Sequence, residues 1–395
     1  MDRRLIVLAA GMFAIGTDSF VVAGILPQVS QSLGVSIGVA GQMVTLYALS
    51  YALLSPVIAA MLAHWPRKRL LLAGLAVFVA GNLITALAPT IEWVLASRLL
   101  AGLGAAMFSP TATAAGASLV PPEKRAHALA VVIAGLTSAT ALGSPIGTFI
   151  GGLGDWRGTM WFVTAVGVAA GAAVYALLPH IPALPAVTLR QRLAPLKDSR
   201  VLLTLLTTLA AYSGLFAVYT YIGVSFDRVT GGKPDVLAGL LLLWGLAATV
   251  GNLGAGKLTD RYGSRAIIYG ALAAATVNFA LLPWATAHLW SAALSIVVWG
   301  LCGWGLIVPQ QHRLISLAPA SAPLLLGLNS AALYVGVSAA GVIGAASIGL
   351  LDRHHIGLVG AALLATGLVM AWLADRLISK EQAHVRAPAV GATAG

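Results

Sequence analysis

Charge is what this sequence has least of. Of its 395 residues only 9% are Asp, Glu, Lys or Arg, against about 25% in an ordinary soluble domain, while 59% are hydrophobic and the mean hydropathy is +0.92. Too few polar side chains remain to cover a water-exposed surface, which excludes a soluble fold. Cysteine is almost absent: the one thiol, Cys302, has no disulfide partner in the chain and lies in an apolar run as a small packing residue. The sequence also lacks a phosphate-binding glycine loop, His or Cys groups at metal-ligand spacing, and paired acids suited to hydrolysis. ATP-driven pumping, a metal site and enzyme chemistry are therefore unsupported, and no cofactor is expected.

What the chain has instead is long apolar runs. Crossing the hydrocarbon core takes about 20 apolar residues, and twelve such runs are separated by polar punctuation. In the first half they are Leu5–Leu26, Val39–Ala63, Leu70–Ala88, Trp93–Leu119, Ala126–Gly151 and Thr159–Leu178. In the second half they are Val201–Val224, Val236–Leu258, Ala266–Ala285, Leu289–Pro309, Leu324–Leu350 and Ile356–Ile378. The predicted class is an all-α membrane protein with twelve transmembrane helices. The basic start followed by apolar residues from Leu5 has the look of a secretory leader, but Asp18 interrupts the run and no small-residue cleavage site precedes Pro27, so it reads as the first span.

Two halves follow, residues 1–180 and 201–379, joined by a linker over 181–200 and ended by a tail over 380–395 that is rich in Ala and Gly and expected to be disordered. Pro179–Arg200 holds four prolines together with Arg190, Arg192, Lys197 and Arg200. Its end fits either a short basic amphipathic helix at the membrane surface or a solvated linker.

The net charge of +11 does not point to nucleic acid, because the bases sit in separate loops rather than on one face. Counted on alternate sides of the twelve spans, 18 of the 23 Lys and Arg fall on one side and four (Arg157, Arg228, Lys233 and Arg353) on the other, with Arg98 inside a span. Cytoplasmic loops collect Lys and Arg, so both termini are expected in the cytoplasm.

The loop Gly256-Lys257-Leu258-Thr259-Asp260-Arg261-Tyr262-Gly263-Ser264-Arg265, between spans eight and nine, resembles the cytoplasmic loop signature of the major facilitator superfamily. There Asp260 can pair with Arg261, Arg265 or a helix terminus, and Gly263 permits a tight turn, so the loop reads either as a latch or as a solvated turn. The matching first-half loop keeps Arg67, Lys68 and Arg69 but has Ala63 and Pro66 where the family pattern has Asp and Gly, as several members of the drug and sugar efflux branch do. In span five, Gly143-Ser144-Pro145-Ile146-Gly147-Thr148-Phe149-Ile150-Gly151-Gly152 is similar to the signature separating exporters from importers. Gly143, Gly147 and Gly151 clear one helix face for a close neighbour, either to seal the two halves or as an ordinary packing seam, and Pro145 allows a bend. Arg98-Leu99-Leu100-Ala101-Gly102, Asp155-Trp156-Arg157 and the opening Gly16-Thr17-Asp18-Ser19-Phe20 extend the resemblance, which covers the whole chain. It implies two six-helix bundles around a midplane cavity and an inner-membrane carrier exporting a small organic compound (drug, antibiotic or sugar-like) in exchange for protons. An importer or facilitator of the same fold is the alternative. Its partners would be substrate, protons and membrane lipid, with nothing demanding more than a monomer.

Within the spans the central ionisable residues are one acid, Asp18, and one base, Arg98. A charge at bilayer depth costs about 2.5–3.5 kcal/mol on insertion scales and so marks a pathway or a partner. Asp18 fits a proton carrier, since burial favours the neutral acid and an approaching cation the carboxylate; it also fits a residue that only packs with Thr17 and Ser19. Arg98 fits proton coupling, binding of an anionic substrate group, or helix packing through its five donors. Amphipathic candidates for the cavity are Tyr47 and Tyr51 in span two, Tyr212, Phe216 and Tyr219 on one face of span seven, and Trp299, Trp304, Asn329 and Tyr334 in later spans; each also fits an anchor or packing role. Gln42, Asn82, Asn252 and Asn278 are intramembrane amides that can tie helices together.

Overall fold

The computed structural model describes residues 2–183 and 187–386, and among these there is no strand. Eleven of its helices are long and apolar enough, by length and composition, to cross a membrane. The first half comprises α1 (Arg3–Leu33), α2 (Ile37–Met61), α3 (Arg67–Leu87), α4 (Ile91–Ser118), α5 (His127–Gly152) and α6 (Arg157–Leu177). Sharp ends follow from the sequence: Asp2 and Ser36 cap α1 and α2 with their side chains, and Gly34 ends α1 in the left-handed conformation at φ 63°.

The second half begins with α7 (Ser199–Thr220). Next comes a 47-residue helical stretch, Pro234–Ala280, which at about 1.5 Å per residue is more than twice as long as the hydrocarbon core is thick. It is bent in two at Gly263, whose φ of 80° and ψ of 154° only glycine adopts readily. The parts, α8 (234–262) and α9 (264–280), coincide with two of the runs read from sequence. They are followed by α10 (Leu289–Leu317), α11 (Ala322–Leu350) and α12 (Ile356–Arg386).

Unlike a soluble protein, the chain is apolar outside as well as in its core. Leu253, Trp290 and Leu350 stand 72–85% exposed on the outside, while Asp18, Arg98, Asn82 and many Thr and Ser side chains are buried. An apolar exterior of that extent needs lipid around it.

α1 packs on α5 and α6, and α4 lies between α2 and α3; in the second half α7 lies between α11 and α12, and the α8–α9 pair packs on α10 and α12. Two seams cross between halves, α2 on α11 and α5 on α8. In the first, a Cβ on Gly41 would fall 2.1 Å from the Tyr221 hydroxyl, which donates to the Gly341 carbonyl at 2.7 Å. In the second, Gly245 of α8 lies on the backbone of Thr140 and Ala141. That backbone belongs to a π turn, Ala139–Gly143, inserted in α5 just before Pro145; the wider turn absorbs the hydrogen bond that proline cannot donate.

The linker ends in a short helix, Leu189–Leu193, closed by a reciprocal cap between Thr188 and Gln191, with none of its side chains buried. α12 continues past residue 380 to Arg386, and Glu381 pairs with Arg200 at the start of α7 at 2.8 Å, tying that extension to the second half. The remaining tail, 387–395, lies outside the described residues.

Candidate functional site

Four helices each supply one part of a buried polar cluster. Asp18 comes from the middle of α1 and Arg98 from α4, and they are 0% and 1% exposed. The guanidinium meets the carboxylate as a fork, with Nη1 to Oδ1 at 2.9 Å and Nη2 to Oδ2 at 3.0 Å. Asn82 of α3 closes a triangle: its Nδ2 donates to Asp18 Oδ2 at 3.3 Å and its Oδ1 accepts from Arg98 Nη1 at 3.1 Å. The Tyr47 ring of α2 lies under the guanidinium, 4.8 Å from ring centre to Cζ. Ser19 then links Tyr47 back to α1, 3.1 Å from the Tyr47 hydroxyl and 2.8 Å from the Ile15 carbonyl.

Asp18 does not merely pack with Thr17 and Ser19; it is held by a bidentate cation. Arg98 presents both ends of its fork to that acid, so in this arrangement it is not free to grip an anionic group. Buried pairs of this kind offset two large desolvation costs only because the fork matches and further hydrogen bonds complete it.

The pair borders a cavity of about 30 Å³ between the halves, walled by Asp18, Phe20, Tyr47 and Arg98 on one side and Phe216, Leu333, Tyr334 and Val337 on the other. That volume holds water but no organic molecule. An aromatic cluster backs it: the Phe20 ring lies 5.9–6.3 Å from Phe216, Tyr219, Trp244 and Trp304. Tyr51 stacks on Tyr334 across the halves at 3.9 Å.

Of the expected cavity residues, Tyr47, Phe216 and Tyr334 reach the wall, whereas Tyr51, Tyr212, Tyr219 and Trp304 stand behind it. Two are corrected. Trp299 is wedged edge-on against Trp244 and Phe279 inside the second half, and Asn329 accepts from Thr208 at 2.8 Å as a tie between α11 and α7. Phe20 lies on the wall with Trp244 behind it, neither marked as a cavity residue by the sequence pattern, and Asn82, expected as a helix tie, completes the charge cluster. Phe20, two residues after the central acid, carried the only usable signal.

The glycine seam of α5 also faces a different neighbour from the half interface. A Cβ at Gly143, Gly147 or Gly151 would fall 2.0–2.7 Å from Thr17, Val21 and Ile25, so the seam closes on α1 within the same half. Contact with the second half comes from the adjoining face, through Thr140, Ala141 and Ser144, because the π turn rotates that face toward α8 and α7.

The two loops differ. In the first half Lys68 donates to the Tyr175 and Leu178 carbonyls at the end of α6, the Arg67 amide donates to the Ile181 carbonyl at 2.9 Å, and Arg69 is exposed. In the second half Asp260 and Arg261 are exposed and, among the described residues, make no ion pair. Arg265 instead pairs at 3.4 Å with Asp375 of α12, which also holds the buried Arg313 of α10. Attraction to a half-desolvated carboxylate outweighs attraction to a solvated one. Arg313 and Asp375, read from sequence as charges at helix ends, are thus a second buried pair.

A sequence model of the Major Facilitator Superfamily matches residues 8–341. The chain belongs to the major facilitator superfamily. Among relatives, it is 30% identical to the Escherichia coli (strain K12) inner membrane transport protein YdhP, covering 95% of this chain and 97% of that one. It is 31% identical to a chloramphenicol resistance protein of Streptomyces lividans, covering 94% of both. The crystal structure of the nucleoside transporter NupG superposes with a TM-score of 0.75 over 94% of this chain and 98% of that one, at 13% identity, which shows a common fold. This major facilitator protein is therefore a multi-pass membrane transporter of small molecules and not an enzyme.

Proposed function

We propose that this transporter has twelve spans in two six-helix bundles, with both chain ends in the cytoplasm, and exports a small organic compound in exchange for protons. The break at Gly263 supports the count, since two helices of ordinary membrane length meet there. The observation that carries the coupling reading is the forked Asp18–Arg98 pair on the wall of the cavity between the halves. A proton taken up by an Asp18 oxygen cancels the carboxylate charge and breaks one arm of the fork. Arg98 is then left with Asn82 and the face of Tyr47, a weaker hold that lets α1 and α4 shift relative to each other. When the halves part to admit an amphipathic compound against Tyr47, Phe216 and Tyr334, Arg98 returns to the carboxylate and expels the proton. One proton enters Asp18 from outside and leaves it to the inside in each cycle, so export of an uncharged compound carries one positive charge inward.

The substrate class follows from the wall: aromatic and aliphatic side chains with a single compensated ion pair suit an uncharged or weakly cationic organic molecule of the drug, antibiotic or sugar-like kind. The chloramphenicol resistance relative makes chloramphenicol the first probe. In proteoliposomes with an imposed pH gradient, the native protein should drive chloramphenicol against its concentration gradient. Asp18→Asn should lose gradient-driven movement by about 100-fold while keeping exchange of labelled for unlabelled probe. Undiminished gradient-driven transport by that variant would remove Asp18 from the mechanism, and movement only in the opposite direction would favour the importer.

A further inference from the structure

A second cavity, of about 290 Å³, lies between the start of α9 and the last turns of α12, outside the transport pathway. Its walls are Arg265, Trp372, Asp375, Arg376, Ser379 and Lys380. The one acid there is already committed to Arg313 and Arg265. The nearest other acid along α12, Glu381, is held by Arg200. The Arg376 guanidinium lies over Trp372, 3.8 Å from the ring centre, and a guanidinium stacked on a ring keeps its in-plane N–H groups free to donate. Lys380 is exposed, and among the described residues neither it nor Arg376 donates a hydrogen bond or pairs with an acid. Two exposed cations, Arg376 and Lys380, thus face the pocket without a counter-charge, beside Arg265, which shares Asp375 with Arg313.

The pocket adjoins the exposed face of α12. Along α12 the exposed positions Leu358, Thr366, Val369, Trp372, Arg376 and Lys380 form one stripe, apolar at its start and basic at its end. From Leu358 to Arg376 the helix climbs about 27 Å, close to the thickness of the hydrocarbon core. Arg376 and Lys380 therefore sit at headgroup level, with Trp372 at the boundary where indoles settle, and the apolar stretch runs down the acyl chains beneath.

We propose that this pocket binds the headgroup of an anionic phospholipid, the phosphodiester meeting Arg265, Arg376 and Lys380 and an acyl chain lying along α12. The ligand chemistry is a phosphate ester, and the apolar stripe selects the lipid over free phosphate. The inference rests on the membrane-spanning fold and not on the proton-coupling reading.

The test is native mass spectrometry of the full-length protein incubated with equal amounts of dioleoyl phosphatidylglycerol and dioleoyl phosphatidylcholine, which share acyl chains and differ in charge. The native protein should retain phosphatidylglycerol preferentially. Arg376→Gln combined with Lys380→Gln should reduce that preference about 30-fold, at about 1 kcal/mol for each base removed near the surface. Arg376→Lys with Lys380→Arg should keep most of it, and Arg228→Gln with Arg353→Gln, at the opposite ends of the helices, should leave it unchanged. Equal retention of the two lipids by the native protein, or full preference in the neutralised variant, overturns the proposal. Displacement of phosphatidylglycerol by millimolar inorganic phosphate as effectively as by short-chain phosphatidylglycerol overturns the lipid assignment in favour of free phosphate.

Discussion

Two buried arginine–aspartate pairs stand in the two halves of this protein, and they differ in what surrounds them. Asp18–Arg98 is enclosed by protein: a fork, an amide and an aromatic face hold it, Arg98 Nε is left without a partner, and the pair borders the small cavity between the halves. Arg313–Asp375 lies near a helix end, shares its acid with the exposed Arg265, and adjoins a pocket open to the outside. The same two side chains therefore serve different ends. Where water and lipid headgroups can reach, loss of a partner is relieved by solvent; where they cannot, the protein itself must move.

The largest expected effect follows from that contrast. Asp18→Ala strands the Arg98 charge at depth and should destabilise the protein by about 3–5 kcal/mol. Asp375→Ala should cost less, about 2 kcal/mol, because Arg313 keeps the Ala371 carbonyl, 3.1 Å from its Nη2, and the vacated site borders an open pocket. Thermal unfolding in detergent measures both, and equal losses would erase the distinction between the sites. Combining Asp18→Asn with Arg98→Gln should recover most of the stability lost by Asp18→Asn alone while leaving gradient-driven transport abolished, which separates folding from coupling.

Smaller effects sharpen the comparison between the seams that join the halves. Gly245→Val places a branched side chain on the π-turn backbone of α5, and should cost about 1–3 kcal/mol and slow transport. A double-mutant cycle on Tyr51 and Tyr334 should give a coupling of about 1 kcal/mol for the stack across the other seam. A value near zero would mean the two rings do not hold the halves. The smallest effect is expected outside the membrane. Asp198 caps α7 by accepting from the Arg200 amide at 2.9 Å, and Asp198→Ala should cost about 1 kcal/mol. Hydrogen bonding from the Arg200 side chain holds the Asp198 carboxyl below the usual aspartate range, so this contribution is present at neutral pH and is lost as pH falls through that lowered value.

Much of the fold was legible because lipid permits few solutions. A buried backbone in hydrocarbon must be helical, so each apolar run reads directly as a helix, and Gly263 announces the one break inside a continuous helical stretch. Asp18 and Arg98 were legible for a related reason: in the middle of an apolar run a charge has no trivial explanation. Asp375 and Arg313 were not, since near a span's end a charge is ordinary until a neighbouring helix is seen to cover it. The direction of the glycine seam was hidden likewise. Spacing of four identifies a cleared face but not the helix that fills it.

The sequence by itself determined that this chain lives in a membrane, how many apolar runs it has and where the isolated charges fall, because those depend on transfer of local segments from water to lipid. Only the tertiary structure decided that Asp18 and Arg98, 80 positions apart, form one fork, that Asn82 completes it, and that Trp299 and Asn329 lie away from the cavity. Those outcomes depend on which faces of separate helices meet, and helical periodicity fixes what a face contains without fixing what it touches.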